Sequence, residues 1–159
     1  MKANPKIISS IITLRAHHLI CLQGYRGYGY DKNFKENLEK ILNKLKEENV
    51  EVIITDSNDD ICEYCPNLKK NLCHLGISSE NSSYLHDPCD KEIEKSNEKI
   101  VKMDLAILKK TKIEKKKKYN VFDLFNIVNN KFMNIEDLKD ICINCSWMEK
   151  CLWYKSRKR

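Results

Sequence analysis

Glycine and proline are scarce, four and three residues in a chain of 159, and aromatic residues make up only 8%. So little turn punctuation argues against a sandwich or barrel of many short strands. Also missing is any uncharged apolar run near the roughly 20 residues that cross a bilayer, which excludes a membrane span. Residues 7–14 are apolar but interrupted by Ser9, Ser10 and Thr13, and Arg15, His17 and His18 stand where a small-residue cleavage site belongs. No secretory signal is read there, so a cytoplasmic protein with reduced thiols is expected. No hydrolase triad, phosphate-binding loop or dinucleotide fingerprint occurs, which removes several enzyme classes.

What remains is rich in lysine, asparagine, isoleucine and glutamate, a composition that favours helices. The expected fold is mainly α (α+β): one helical, cysteine-rich, metal-binding domain over 1–159, with at most a two-stranded β element and flexible ends at 1–6 and 155–159. Periodicity predicts a short helix over 14–23, broken by the glycines of 24–30, and a long amphipathic helix over 31–49 carrying Phe34, Leu38, Ile41, Leu42 and Leu45. Residues 50–55 read as a strand whose one obvious partner is 6–13. A second long helix presents Ile93, Ile100, Val101, Leu105 and Leu108, and shorter ones follow over 121–132 and 135–141, capped by Asn120 and Asn134. The net charge of +6 is concentrated in the lysines of 109–118 and in 155–159, both read as solvated segments.

Eight cysteines are the chemical signal. Six form two similar triplets, Cys62-x2-Cys65-x7-Cys73 and Cys142-x2-Cys145-x5-Cys151. In Cys-x2-Cys the two sulfurs turn toward one point, and a third cysteine closes most of a tetrahedral or cuboidal site. Each triplet lacks a fourth ligand, for which Cys21, Cys89, His17, His18, His74 and His86 are the candidates. Cys21 leads them, because His17 and His18 precede it by one helical turn and can face the same site. Cys89 opens a helix, where partial positive charge favours a thiolate. Zinc and iron–sulfur clusters both accept thiolates. An iron–sulfur cluster, [4Fe-4S] in one or two copies, uses every triplet cysteine, whereas one zinc ion held by the two Cys-x2-Cys pairs leaves Cys73 and Cys151 idle.

The stretch from Leu14 through Arg15, His17, His18 and Cys21 to Gly29-Tyr30, then Asp59-Asp60-Ile61-Cys62-x2-Cys65-Pro66, and finally Cys142-x2-Cys145-Ser146-Trp147, resembles an uncharacterised bacterial and archaeal family catalogued as domain of unknown function 1284. The resemblance implies an iron–sulfur protein without an assigned reaction. Ser146 stands where the family pattern has proline, and Cys89 lies in a segment that does not match it.

Two classes of function follow. In the first, Arg15, His17, His18 and Arg26 act as catalytic groups for anion binding and proton transfer beside a thiolate-held iron centre, with a small-molecule substrate or a redox partner protein. In the second, a zinc-stabilised module uses Tyr25, Tyr28, Tyr30 and the lysine run to hold nucleic acid. The distance in sequence between those tyrosines and lysines disfavours it.

Overall fold

The β-branched run Ile11-Ile12-Thr13 pairs as strand β1 (Ser10–Arg15) with β2 (Val50–Thr55), parallel and in register from Ser10 against Val50 to Arg15 against Thr55. The computed structural model describes residues 9–74, 89–142 and 145–159. The expected flexible end at 1–6 and His86 lie outside them. Strand β2 alternates buried Val50, Val52 and Ile54 with half-buried neighbours, the period of a strand with one covered face.

Two differences from the sequence reading begin here. The helix expected over 14–23 starts only at His18, as α1 (His18–Gly24), because pairing with β2 draws Leu14 and Arg15 into the strand. The β element also exceeds two strands. Part of the lysine run forms β5 (Lys118–Tyr119), antiparallel to β2, giving a sheet of order β1-β2-β5. A separate hairpin pairs β3 (Leu68–Lys69) with β4 (Leu72–Cys73), and its two loop residues, Lys70 and Asn71, both take positive φ, as tight hairpin turns require.

The open edge of β1 is covered by side chains. The backbone N–H of Thr13 donates to Asp60 Oδ2 at 2.9 Å and that of Arg15 to Asp59 Oδ2 at 2.6 Å, which satisfies amides that would otherwise be buried without partners.

Helix α2 (Lys32–Lys44) starts at Asp31, whose side chain accepts the Phe34 amide, and buries Phe34, Leu38 and Ile41. Helix α3 (Asp90–Thr111) follows the cysteine-bearing hairpin, and α4 (Val121–Lys131) is capped by Asn120 as expected. A single turn at Ile135–Leu138, then α5 (Lys139–Cys142) and α6 (Leu152–Lys155), complete the order. The architecture is α+β. Residues 156–158, expected to be flexible, are tied to this body: the Arg157 guanidinium lies 4.5 Å from the Trp153 ring and donates to Phe132 O at 3.2 Å.

The buried face of α3 is not the one that hydrophobicity alone predicts. Ile93, Ile100, Asp104, Ile107 and Thr111 point inward, whereas Leu105 is 46% exposed. The helix is turned by about one position because Asp104 is drawn to two partners in β1 and at its exit.

Candidate metal centre

In both Cys-x2-Cys pairs the two cysteines are joined by the same backbone hydrogen bond. The Cys65 amide donates to Cys62 O at 3.0 Å and the Cys145 amide to Cys142 O at 2.9 Å, and all four of these cysteines line one cavity. With Cys73 on β4 and Cys151 at the head of α6, both triplets line one cavity of about 740 Å³, together with Cys21 from α1. Seven of the eight cysteines therefore meet at one place. Cys89 is exposed at the start of α3 and does not line the cavity.

The seven divide into two sets. Burial raises the Cys21 pKa well above its ordinary value, and the neighbouring charges of Cys145, Cys142 and Cys151 raise it further. Cys21 thus lies on the side of the cavity that holds the second triplet. Gly24, one turn further along α1, permits the approach: a Cβ there would lie 2.1 Å from Cys151 Sγ. Around the first triplet the neighbours are different. Arg15 feels the charges of Cys62 and Cys73, and a nitrogen of His18, an oxygen of Asp59 and the Cys62 sulfur lie within 4.8 Å of one another. His18, three residues before Cys21, therefore lies beside Cys62, whereas Cys21 feels the second triplet first.

Burial also raises Cys62, Cys65 to about 11 and Cys142 to about 12. The amides of Asn67 at Cys65, and of Trp147 and Met148 at Cys145, act against this rise, because N–H donors favour the thiolate. Without a cation these sulfurs carry protons, and a bound metal displaces them.

Behind the first triplet lies a polar assembly that the sequence did not reveal. Asp104 is fully buried, accepts Arg15 Nε at 2.7 Å, and takes both the backbone N–H and the Nδ1 of His17, at 2.9 and 2.7 Å. Asp59 pairs with His18 Nδ1 at 2.5 Å while its other oxygen accepts the amides of Ile61 and Cys62, each at 2.9 Å. Burial works against ionisation of both carboxyls. At Asp59, His18 and the amides of Arg15 and Cys62 prevail, and at Asp104, His17 and Arg15 do, so both pKa values lie below the ordinary carboxylate range. His17 is shifted down, by burial first and then by His18 and Arg15, against the pull of Asp104.

Each histidine is thereby fixed through Nδ1, leaving Nε2 as the nitrogen available to the cavity that both rings line. This carboxylate–histidine arrangement orients imidazoles at metal and proton-transfer sites. Arg15 pairs through Nε with Asp104 and through Nη2 with Asp56 O at 3.1 Å. It does not pair with the side chains of Asp56 and Asp59. Arg26 is exposed and does not line the cavity.

The opposite wall is aromatic. Trp147 lies 4.4 Å from the Tyr30 ring, 5.2 Å from Tyr28 and 6.1 Å from Phe34. Tyr30 stands between the two thiol sets: burial raises its pKa, and Cys65, Cys21, Cys73 and Cys145 raise it further. These tyrosines face sulfur. The lysines of the basic run are largely paired elsewhere, Lys110 with Asp137, Lys115 with Asp56 and Lys118 with Glu51.

Residues 29–151 match the family described as "Protein of unknown function (DUF1284)". The chain belongs to the DUF1284 family. As a DUF1284 protein it carries six of its cavity cysteines inside the matched range, and Cys21, with Arg15, His17 and His18, ahead of it. A stretch of 76 residues, 48% of the chain, is 36% identical to the phosphoribosyl-ATP pyrophosphatase of Clostridium botulinum (strain Kyoto / Type A2) and covers 66% of that protein. The chain thus spans just under two thirds of that relative. No solved structure matches. Among the described residues, no helix is long and apolar enough to cross a membrane.

Proposed function

We propose that this DUF1284 protein is an iron–sulfur protein with two unlike centres, one held by Cys21, Cys142, Cys145 and Cys151, the other by Cys62, Cys65 and Cys73. One observation carries the reading: seven thiols converge on a single cavity, four in one set and three in the other beside Arg15 and His18.

Size supports clusters over a single zinc ion. Zn–S bonds of about 2.3 Å in a tetrahedron bring sulfurs to about 3.8 Å of one another. Among the described residues, the three ligand-type atoms found within 4.8 Å belong to His18, Asp59 and Cys62, not to three thiols. The cavity suits a larger inorganic body.

An iron–sulfur cluster supplies electron storage and, where the protein gives only three thiolates, an iron with a position open to a substrate atom. The four-cysteine set fits the first role and the three-cysteine set the second. The chain's own groups do the rest. Asp59 anchors the turn that carries Cys62 and orients His18, Asp104 orients His17 and Arg15, and Trp147, Tyr30 and Phe34 keep water from the sulfurs. The pyrophosphatase likeness does not enter this reading. Among the described residues, Asp140 is the one carboxylate lining the cavity, whereas Mg²⁺ sites for phosphate chemistry take oxygen ligands.

Anaerobic purification followed by iron, acid-labile sulfide and zinc quantification tests the proposal. The expected result is iron and sulfide in equal amounts, about four of each per [4Fe-4S] cluster. Cys142→Ser and Cys73→Ser should each remove one centre and leave the other. Stoichiometric zinc without sulfide would overturn it.

A further inference from the structure

Arg15 is 1% exposed, yet one arm of its guanidinium is unused. Nε reaches Asp104 and Nη2 reaches Asp56 O, but Nη1 has no hydrogen-bond partner among the described residues. A buried N–H donor without an acceptor is costly, and more so when charged. Arg15 also lines the cavity, so an acceptor arriving there removes that cost.

The same carboxylate that holds Arg15 holds His17: Asp104 Oδ2 takes Arg15 Nε and Asp104 Oδ1 takes His17 Nδ1, each at 2.7 Å. His18 lies alongside, its ring centroid 4.2 Å from that of His17. Because both Nδ1 atoms donate to carboxylates, a neutral imidazole at either position offers Nε2 as an acceptor. One corner of the cavity thus combines an unused cationic donor with two oriented acceptors. A bare cation is disfavoured beside Arg15, and a simple anion uses only half of the corner. The complement is an oxyanion that carries its own O–H.

We propose that Arg15, His17 and His18 form the binding subsite for a small oxyanion with an adjacent hydroxyl, the anionic oxygens on Arg15 Nη1 and the hydroxyl on a histidine Nε2. As the substrate subsite of the three-cysteine centre, the assignment rests on the iron–sulfur reading. As a binding site for the oxyanion, it stands on the polar residues alone. Two sources share this chemistry, a 2-hydroxycarboxylate and hydrogen phosphate, whose own P–OH serves as the hydroxyl. Lys99 and Lys102, which line the cavity from α3, add attraction for either.

The test is calorimetric titration of the anaerobically purified full chain with L-lactate, with propionate, which lacks the hydroxyl, and with inorganic phosphate, beside iron and sulfide quantification of the same sample. Expected is one saturable site for lactate or phosphate. If lactate is the occupant, propionate should bind at least about tenfold more weakly, since the acceptor is left unpaired. Arg15→Lys keeps the charge facing Asp104 and loses the second arm, so affinity should fall about tenfold or more. His17→Gln should reduce discrimination against propionate. Arg26→Gln, on the exposed loop, should bind as the wild type does.

Melting temperature and far-ultraviolet circular dichroism identify variants that fail to fold. If Arg15→Lys is among them, the wild-type contrast between lactate and propionate, together with the phosphate arm, decides. Absence of saturable binding by lactate and by phosphate overturns the inference, as does equal affinity for lactate and propionate without phosphate binding, or unchanged affinity in folded Arg15→Lys. Iron with no oxyanion binding sinks this inference alone. Oxyanion binding without iron or sulfide sinks the cluster reading and leaves the subsite standing.

Discussion

Asp104→Asn is the substitution whose outcome the structure fixes most tightly. The wild-type carboxylate accepts Arg15 Nε, His17 Nδ1 and the His17 amide with no exposure to water. An asparagine of the same size keeps one carbonyl oxygen, turns an N–H₂ group against a donor, and leaves the Arg15 cation buried without a counter-charge. Breaking one partner of a buried ion pair costs about 3–5 kcal/mol, a large share of the 5–15 kcal/mol that usually separates folded from unfolded chains. For a domain of this size that corresponds to a fall in melting temperature of about 6–20 °C. Differential scanning calorimetry under anaerobic conditions measures it. The double variant Arg15→Met/Asp104→Leu removes both charges and fills the space with carbon, and it should recover most of the loss, since replacing a whole buried pair by apolar groups is often neutral or better. The double variant should also bind neither lactate nor phosphate, which separates stability from recognition. A fall of less than 2 °C in Asp104→Asn would refute the claim that this carboxylate is the counter-charge on which the corner is built.

Gly24→Ala should destabilise the protein by about 1–3 kcal/mol through overpacking and release iron from the four-cysteine centre alone, because the new methyl group meets Cys151 Sγ; unchanged iron content would count against Cys151 as a ligand. Cys89→Ser should leave iron and sulfide unchanged, and brief alkylation of the anaerobic protein should label Cys89 ahead of the other seven, as peptide mass spectrometry will show. Stability should decline on acidification in two stages. His17 has a lowered pKa when folded, so the unfolded chain takes up its proton first and stability falls as pH drops below about 6.5. Asp59 and Asp104 are also lowered, so a steeper loss begins below about pH 4, where unfolded carboxylates protonate before the folded ones. Denaturant midpoints from pH 8 to 3.5 test both stages, and a flat profile from pH 7 to 5 would exclude the His17 contribution.

Much of this could be read from the chain because the signals are local. The Cys-x2-Cys turns, the Asn120 cap, the alternation in β2 and the face of α2 each depend on neighbours within a few residues. Asp104 could not be read that way. A charged residue on an apolar stripe shifts a hydrophobicity-based reading to Leu105 and Leu108, and its partners lie 87 and 89 residues away. The sign available in the sequence was the spacing of Asp104 between Ile100 and Ile107, where a solvated helix face is not expected. The end of strand β1 is hidden for a similar reason, since Leu14 and Arg15 fit a helical stripe and only pairing with β2 extends the strand through them. The lysine run hid β5, whose pairing satisfies an edge that its composition does not advertise.

The two thiol sets look alike in sequence and differ in surroundings, and the segment from Leu14 to Cys21 explains why. His18 and Cys21 sit three apart on α1, yet His18 lies with Asp59 and Cys62 while Cys21 is nearest in charge to the second triplet. Extending the strand through Arg15 delays the helix by one turn. Arg15 then faces Cys62 and Cys73 from the sheet, and His18 reaches Asp59 beside Cys62. Cys21, a turn further on, reaches the other triplet. The strand-to-helix junction at Ala16–His17 therefore carries Arg15, on the strand, toward Cys62 and Cys73, and Cys21, on the helix, toward Cys142, Cys145 and Cys151. In the iron–sulfur reading proposed above, two near-identical cysteine triplets differ as a four-sulfur centre and a three-sulfur one because the same eight residues border both.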